Sequence, residues 1–379
     1  RIGQGAAAQV LAAGATVATS KLGRELAGEK NLTYRLLAER GLPVARQMTV
    51  HGAEEAVQAA QEIGYPVVLK PLRANRGRGV SVNLQSADAV RAAYQLSSEI
   101  QTRAVVERYL PGDDYRLLVV GGKFVAAAQR PPPSVVGDGV HNLLELAELI
   151  NQTERRDGVL FDPISINAEA RRLLAEQGIG PETVPAVGQR VCFRRSASPE
   201  STTIDVTDRV HPDNKAVAVA AARACFLDVA GVDFMSPDIT RSWKDNGAGI
   251  VEVNAGPAVD LHMYPREGKR RDISFHAIRS CLPARSPGRI PVVMVTGRYN
   301  KRAISRWSAN LLALCGYRAA TEAAPSPEVS TFTNPEVDAG LLEISLRTLA
   351  LEGMALDRVA VSVISDEFPP AGDAGESAF

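Results

Sequence analysis

Apolar residues along this chain switch between helical and strand spacing, and the switches mark its elements. In GEKNLTYRLLAERGLPVARQMTV, Leu32, Leu36 and Leu37 recur at helical spacing. Gly41 follows the last turn and Pro43 lies beyond it, so the pattern predicts a helix, a stop and then a strand. AEEAVQAAQEIG predicts a second helix and YPVVLKPL a buried strand. The order helix, Gly, Pro, strand thus repeats in kind, which predicts mixed α/β layers. AVVERYLPGDDYRLLVVGGKFVAAAQRPPP holds three short β-rich runs, with turns at Pro111-Gly112 and Gly121-Gly122. VVGDGVHNLLELAELIN returns to helix, and residues 155–210 are irregular and basic in places. AVAVAAARACFLDVAGVDFMSPDI reads as an Ala-rich helix followed by a strand, and GIVEVNAGP as a strand and turn. The Pro-rich break CLPARSPGRIP marks a domain boundary, giving domains at 1–285 and 286–379. After it, VVMVTGRYNKRAISRWSANLLALCGY reads strand, loop, helix.

Composition narrows this picture. At 379 residues the chain is too long for one ordinary core. Lys plus Arg and Asp plus Glu number 43 each, so no global field favours nucleic acid or an acidic membrane surface. No apolar run reaches the roughly 18 to 20 residues of a membrane span. The Ala-rich opening faintly resembles a signal peptide, but Gly and Gln interrupt its apolar block. Cys192, Cys225, Cys281 and Cys315 are too dispersed for a zinc knuckle or redox pair, and read as buried thiols of a reducing cytoplasm. The chain opens on Arg1 rather than Met, which leaves residues ahead of it open.

Chemistry concentrates in three places. Asp233 lies in GVDFMSPD, and Glu252 and Asn254 in IVEVNAGP. Two residues apart on a strand, Glu252 and Asn254 share a face. Two carboxylates and an amide oxygen are hard donors that suit Mg²⁺; the plainer alternative is that Asp233 begins a turn and Glu252 faces solvent. Lys70 ends a buried apolar run, where a lysine either snorkels to solvent or meets an anion. Lys30 opens a helix, and Glu107 follows an apolar strand with an oxygen able to accept from an adenine amino group or a ribose hydroxyl. The segment PLRANRGRGVSVN is either a plain hairpin turn or a loop whose N–H groups cover a polyphosphate. Arg116 and Arg194 are candidate clamps for a carboxylate or phosphate. The five histidines are not spaced for a zinc pair, and no nucleophile elbow or Cys–His pairing is visible.

In this order, Lys30, the VVLKP strand, the glycine loop, VVERY, Asp233 and EVNAGP resemble the ATP-grasp superfamily. EKNLTYRLLAERGLPV, VVERYLPGDDYRLLVVGGKFVAAAQR, VVGDGVHNLLELAELIN and TTIDVTDRVHPDN resemble its cyanophycin-synthetase branch in particular. The similarity runs from about residue 20 to about residue 285. It implies an ATP-grasp fold and an ATP-dependent carboxylate–amine ligase. Lys30 and Lys70 would contact nucleotide phosphates, with Asn75, Gly77, Arg78 and Gly79 in the loop over them and Glu107 at the adenine. Asp233, Glu252 and Asn254 would hold Mg²⁺, and Arg116 and Arg194 would face the acyl phosphate or substrate carboxylate. One departure is RRSASPEST, where Ser198 stands in place of the family's Asn, which bears on acceptor choice.

The first type of cyanophycin synthetase continues into a Mur-ligase-like domain that opens with a P-loop. Here VMVTGRYNKRA occupies that place. Gly297 and Lys301 remain, but Asn300 replaces the second glycine, and Arg302 and Ala303 replace the hydroxyl residues that hold a cation. This reads as a dead P-loop on a truncated Mur-type α/β domain, as in the second type. That type implies a cyanophycin chain or primer and β-aspartyl-arginine as partners, no nucleic acid or membrane, a cytoplasmic location and a homo-oligomer.

Overall fold

A computed structural model describes residues 3–9, 11–12, 15–16, 18–72, 79–153, 161–282, 288–298, 300–323, 333–354, 356 and 358–365. They group into two compact units, one spanning 12–277 and the other 278 onward together with the first eleven residues.

The larger unit begins around two short strands, β1 (Leu11–Ala12) and β2 (Ala15–Thr16), and two helices, α1 (Lys21–Gly28) and α2 (Lys30–Glu39). Ser20 caps α1 by accepting from the Gly23 N–H. The first sheet is built from β3 (Gln47–Val50), α3 (Ala53–Ile63), β4 (Val67–Pro71), β5 (Ser81–Leu84), α4 (Ala87–Ser98) and β6 (Ala104–Arg108). Its strands are antiparallel in the order β3-β6-β4-β5. The pleat divides β4 cleanly: Val67 and Leu69 join Val106 in a core with Ala56, Ala60 and Tyr94 of α3 and α4, so Val68 and Lys70 face the other way.

The second sheet takes β7 (Asp113–Val120), β8 (Lys123–Gln129), β11 (Ile204–Asp205), β12 (Val229–Ser236) and β13 (Gly249–Ala255), in the order β11-β8-β7-β12-β13. On one face Leu117, Val119, Val232 and Phe234 pack on Val217, Ala218 and Ala221 of α7 (Pro212–Ala224). The small residues of α7 let the helix lie close to the sheet. The opposite face is apolar at one end, where Leu118, Val120, Ala126 and Val229 meet Ile273, and charged at the other. Between β8 and β11 in sequence, β9 (Ser134–Val136) and β10 (Arg190–Cys192) pair, and α5 (Leu143–Thr153) and α6 (Ala168–Glu176) close a small core on Leu143, Leu174 and Phe193. Two short helices, α8 (Trp243–Asn246) and α9 (Asp260–Met263), precede α10 (Ile273–Cys281).

The smaller unit is α/β. Strands β14 (Val292–Gly297), β15 (Ala319–Ala323), β16 (Ala339–Glu343) and β17 (Val361–Ser365) form a parallel sheet in the order β15-β16-β14-β17. Helix α11 (Lys301–Leu314) follows β14, and α12 (Leu346–Glu352) follows β16. Ile290, Val292, Val337 and Leu342 form its core.

The buried-thiol reading holds for Cys225 and fails for Cys315, which is exposed at the end of α11. Among the described residues no helix is long and apolar enough to cross a membrane.

Candidate active site

The charged end of the second sheet is set by strand register. Across β7, β12 and β13, Arg116, Asp233 and Glu252 lie directly opposite one another. In antiparallel pairing, opposed residues point to the same face, so the three side chains form one row. Asp233 therefore sits in mid-strand rather than at a turn. The next row holds Leu118, Gly231 and Asn254, with Asn254 on the face of Glu252.

Asp233 is held by two guanidiniums. Arg116 grips it through Nε and Nη2, and Arg130, just past β8, reaches its Oδ2 at 3.1 Å. Arg130 also bonds Asp114 at 2.6 Å and 2.9 Å. Burial alone would raise the Asp233 carboxyl, but Arg116 and Arg130 overcome it and hold the group below the usual carboxylate range. Asp114 moves the opposite way: burial, together with the neighbouring charge of Asp233, raises it despite Arg130.

Gly231 makes room for this clamp. A Cβ there would lie 2.7 Å from Pro257 Cβ, 2.8 Å from Arg116 Cδ and 3.2 Å from Arg116 Nη1. Gly231→Ala is expected to push the guanidinium off Asp233, at about 1–3 kcal/mol of stability for overpacking. Urea melts of the two proteins check this, and an unchanged midpoint would show that the pocket has slack.

The first sheet contributes its polar face. Lys70 and Glu107 meet at 2.6 Å with side chains only 9% and 7% exposed. The register explains the meeting: Glu107 lies opposite Val68, two residues from Lys70. Lys70 thus meets an anion, and the anion is the neighbouring Glu107. Lys30 opens α2 and lies 3.6 Å from Glu252 Oε1. Asn31 ties that helix to the sheet, donating to Thr49 at 2.5 Å and accepting from Gln47 at 3.3 Å. Lys30, Tyr34, Gln47, Lys70, Glu107 and Glu252 line one narrow cleft. A larger opening beside it shares Lys30 and Glu252 and adds Asn254 and Gly256.

Asp233, Glu252 and Asn254 are the hard donors expected for Mg²⁺; in this structure Asp233 is bonded to Arg116 and Arg130, and Glu252 is paired with Lys30. Two carboxylates and an amide lie on one face, and the Asn254 nitrogen turns to the Gly231 carbonyl at 3.4 Å, which directs its oxygen away from the strand. Among the described residues no three or more Asp, Glu, His or Cys side chains are placed to hold a metal ion together. A set of two carboxylates and an amide would need further oxygens from a ligand to complete a cation's shell.

Two other candidates lie elsewhere. Arg194 spends its guanidinium on Glu200 at 2.8 Å, Ser165 at 3.2 Å and the Phe193 carbonyl at 2.8 Å, next to the small α5–α6 core. Of the loop, Asn75, Gly77 and Arg78 lie outside the described residues. Gly79 has φ +69°, and a Cβ there would lie 2.7 Å from Ile100, a position that favours glycine. Arg130 and His262 were not singled out from sequence. Arg130 ends a plain apolar run, and only its position two residues beyond Ala128, the partner of Arg116, places it on that face, in the adjacent row opposite Asp114.

Comparison with known proteins matches residues 21–112 to the ATP-grasp domain model. The chain is 33% identical over 366 residues to cyanophycin synthetase of Crocosphaera subtropica, covering 90% of this chain and 42% of that protein. To cyanophycin synthetase of Geminocystis herdmanii it is 38% identical over 319 residues, 82% of this chain and 36% of the relative. It is also 32% identical over 269 residues to a glutathione biosynthesis bifunctional protein of Mannheimia succiniciproducens, 67% of this chain and 35% of that one. The chain thus spans about two fifths or less of the length of these relatives. Among solved structures, a bifunctional glutathione synthetase from Pasteurella multocida superposes with a TM-score of 0.55 at 28% identity, over 72% of this chain and 39% of that one.

Proposed function

We propose, since this chain belongs to the ATP-grasp superfamily and is related to the cyanophycin synthetases, that it is an ATP-dependent ligase extending cyanophycin with β-aspartyl-arginine. The observation that carries this reading is the convergence of Lys30, Lys70, Glu107 and Glu252 on one cleft, with Glu252 in the same row as Asp233 and Arg116.

In this reading ATP enters the cleft with its phosphates toward Lys30 and Lys70, and Glu107 accepts from the adenine amino group. The γ-phosphoryl group passes to the C-terminal carboxylate of the growing chain, giving an acyl phosphate and ADP. The α-amine of the incoming dipeptide attacks that carbonyl, a peptide bond forms and phosphate leaves. Arg116 faces the acyl group and offsets the charge that builds on its oxygens. Mg²⁺ held by Asp233, Glu252 and Asn254 would supply neutralisation of the phosphate oxygens. Arg194 reaches the acyl group only by leaving Glu200, just as Arg116 does so only by giving up part of its hold on Asp233.

The smaller unit is proposed as a Mur-type remnant that binds no nucleotide. The Lys301 ammonium donates to the Gly297 carbonyl at 2.7 Å. The turn passes through Asn300 in a left-handed conformation with φ 54°. A lysine bonded to its own strand is not presented to a phosphate.

The test is phosphate release from ATP with Mg²⁺ and a cyanophycin primer, comparing β-aspartyl-arginine with free aspartate and arginine. Release with the dipeptide alone is expected. Release with free aspartate would replace the dipeptide by the single amino acid, and silence with both would point to another carboxylate, such as the γ-glutamyl substrates of glutathione chemistry.

A further inference from the structure

His262 is 2% exposed, and neither of its ring nitrogens has a hydrogen-bond partner. It lies on α9, which packs against β8. Ala128 of β8 stands in the row between Asp205 and Arg116, and its small side chain leaves a gap in a line of charges. The charges that act on the ring are those of Arg116 and Arg130, opposed by Asp205. Asp205 is already committed, to Arg271 at 2.6 Å and to the Thr207 hydroxyl at 2.5 Å.

A buried imidazole with two empty positions is costly, and an apolar residue would fill a core at no such cost. The backbone is nonetheless pinned to keep it there. The His262 N–H donates to the Val259 carbonyl at 3.1 Å, the Arg271 N–H donates to the His262 carbonyl at 3.1 Å, and the Thr203 hydroxyl donates to the Leu261 carbonyl at 2.8 Å. Burial, reinforced by Arg116 and Arg130, pushes the imidazole down to about 3, so the ring is neutral and keeps one N–H to donate. Arg116 and Arg130 already bond the Asp233 and Asp114 carboxylates, so the ring N–H is the donor of this group with no acceptor, and an oxygen acceptor is what would complete it.

We infer that His262 is a substrate-contacting residue of the ligase, donating a ring N–H to an anionic oxygen of the acyl group beside Arg116 and Arg130. The inference rests on the ligase reading for the identity of that group, and on the unpartnered ring for the contact itself.

The experiment has two arms. In ¹⁵N-histidine-labelled full chain, the His262 ring signal, assigned by its loss in His262→Asn, is followed while cyanophycin primer or inorganic phosphate is added. A shift that saturates with the anion is expected; no shift at saturating primer and phosphate overturns the contact. In the second arm His262→Leu is expected to melt at or above the wild-type temperature and to bind ATP as wild type does. Its KM for primer should rise roughly ten- to hundredfold, the loss of one hydrogen bond to a charged group. His262→Asn, which restores an N–H, should recover part of that loss. A His262→Leu enzyme with unchanged kcat and KM overturns the inference. A saturating ring shift without any ATP turnover would sink the ligase reading and leave the anion contact standing.

Discussion

Asp233→Asn is expected to unfold about 3–5 kcal/mol more easily than wild type and to turn over on the order of 10²–10³-fold more slowly. The stability loss comes from Arg116 and Arg130, which keep their charge and their burial when the carboxylate between them is removed. The activity loss comes from the same carboxylate being one of the proposed Mg²⁺ donors. Because its folded carboxyl is depressed, its contribution is fully present above the unfolded carboxyl value of about 4 and is lost as pH falls through the lower folded one. The gap between wild type and Asp233→Asn should therefore narrow below about pH 4. Urea melts from pH 3 to 8 and the phosphate-release assay measure both effects. Full activity in Asp233→Asn would remove the residue from the donor set, whatever happened to stability.

Lys70→Met should be comparably damaging for a different reason. It strands the Glu107 carboxylate in a site 7% exposed, and breaking a buried pair from one side costs about 3–5 kcal/mol. Replacing both partners, in Lys70→Met/Glu107→Leu, leaves no unpaired charge and is expected to restore most of the stability. ATP binding should be lost in both proteins, since each lacks the cation proposed for the phosphates. Calorimetric titration with ATP beside urea melts separates the two effects. If the double variant bound ATP with wild-type affinity, the pair would be structural only.

Local pattern revealed the elements well. The apolar spacing over 53–64 and the run VVLKP correspond to α3 and a fully buried β4. The two-residue spacing of Glu252 and Asn254 put them on one face before any tertiary contact was known. Partners distant in sequence were a different matter. Asp233 and Arg116 are 117 residues apart, and only the register of β12 against β7 brings them together. Arg130 likewise meets Asp233 only through strand register, 103 residues apart in sequence. Histidine spacing speaks only to a zinc pair, whereas His262 is distinguished by its unbonded ring, which no linear pattern encodes. Arg194 looked equivalent to Arg116 in sequence, yet Glu200, six residues on, claims it.

Among the described residues the cations of this site each face a carboxylate of the same protein: Lys30 with Glu252, Lys70 with Glu107, Arg116 with Asp233, Arg130 with Asp114. From a distance the cleft is thus a row of short dipoles, whose field dies away faster than that of a bare positive pocket. A triphosphate gains little attraction on approach and meets the cations only after contact, when the internal pairs loosen. Arrival should accordingly be set by diffusion and orientation, nearly independent of ionic strength, with selectivity for the nucleotide expressed in how slowly it leaves.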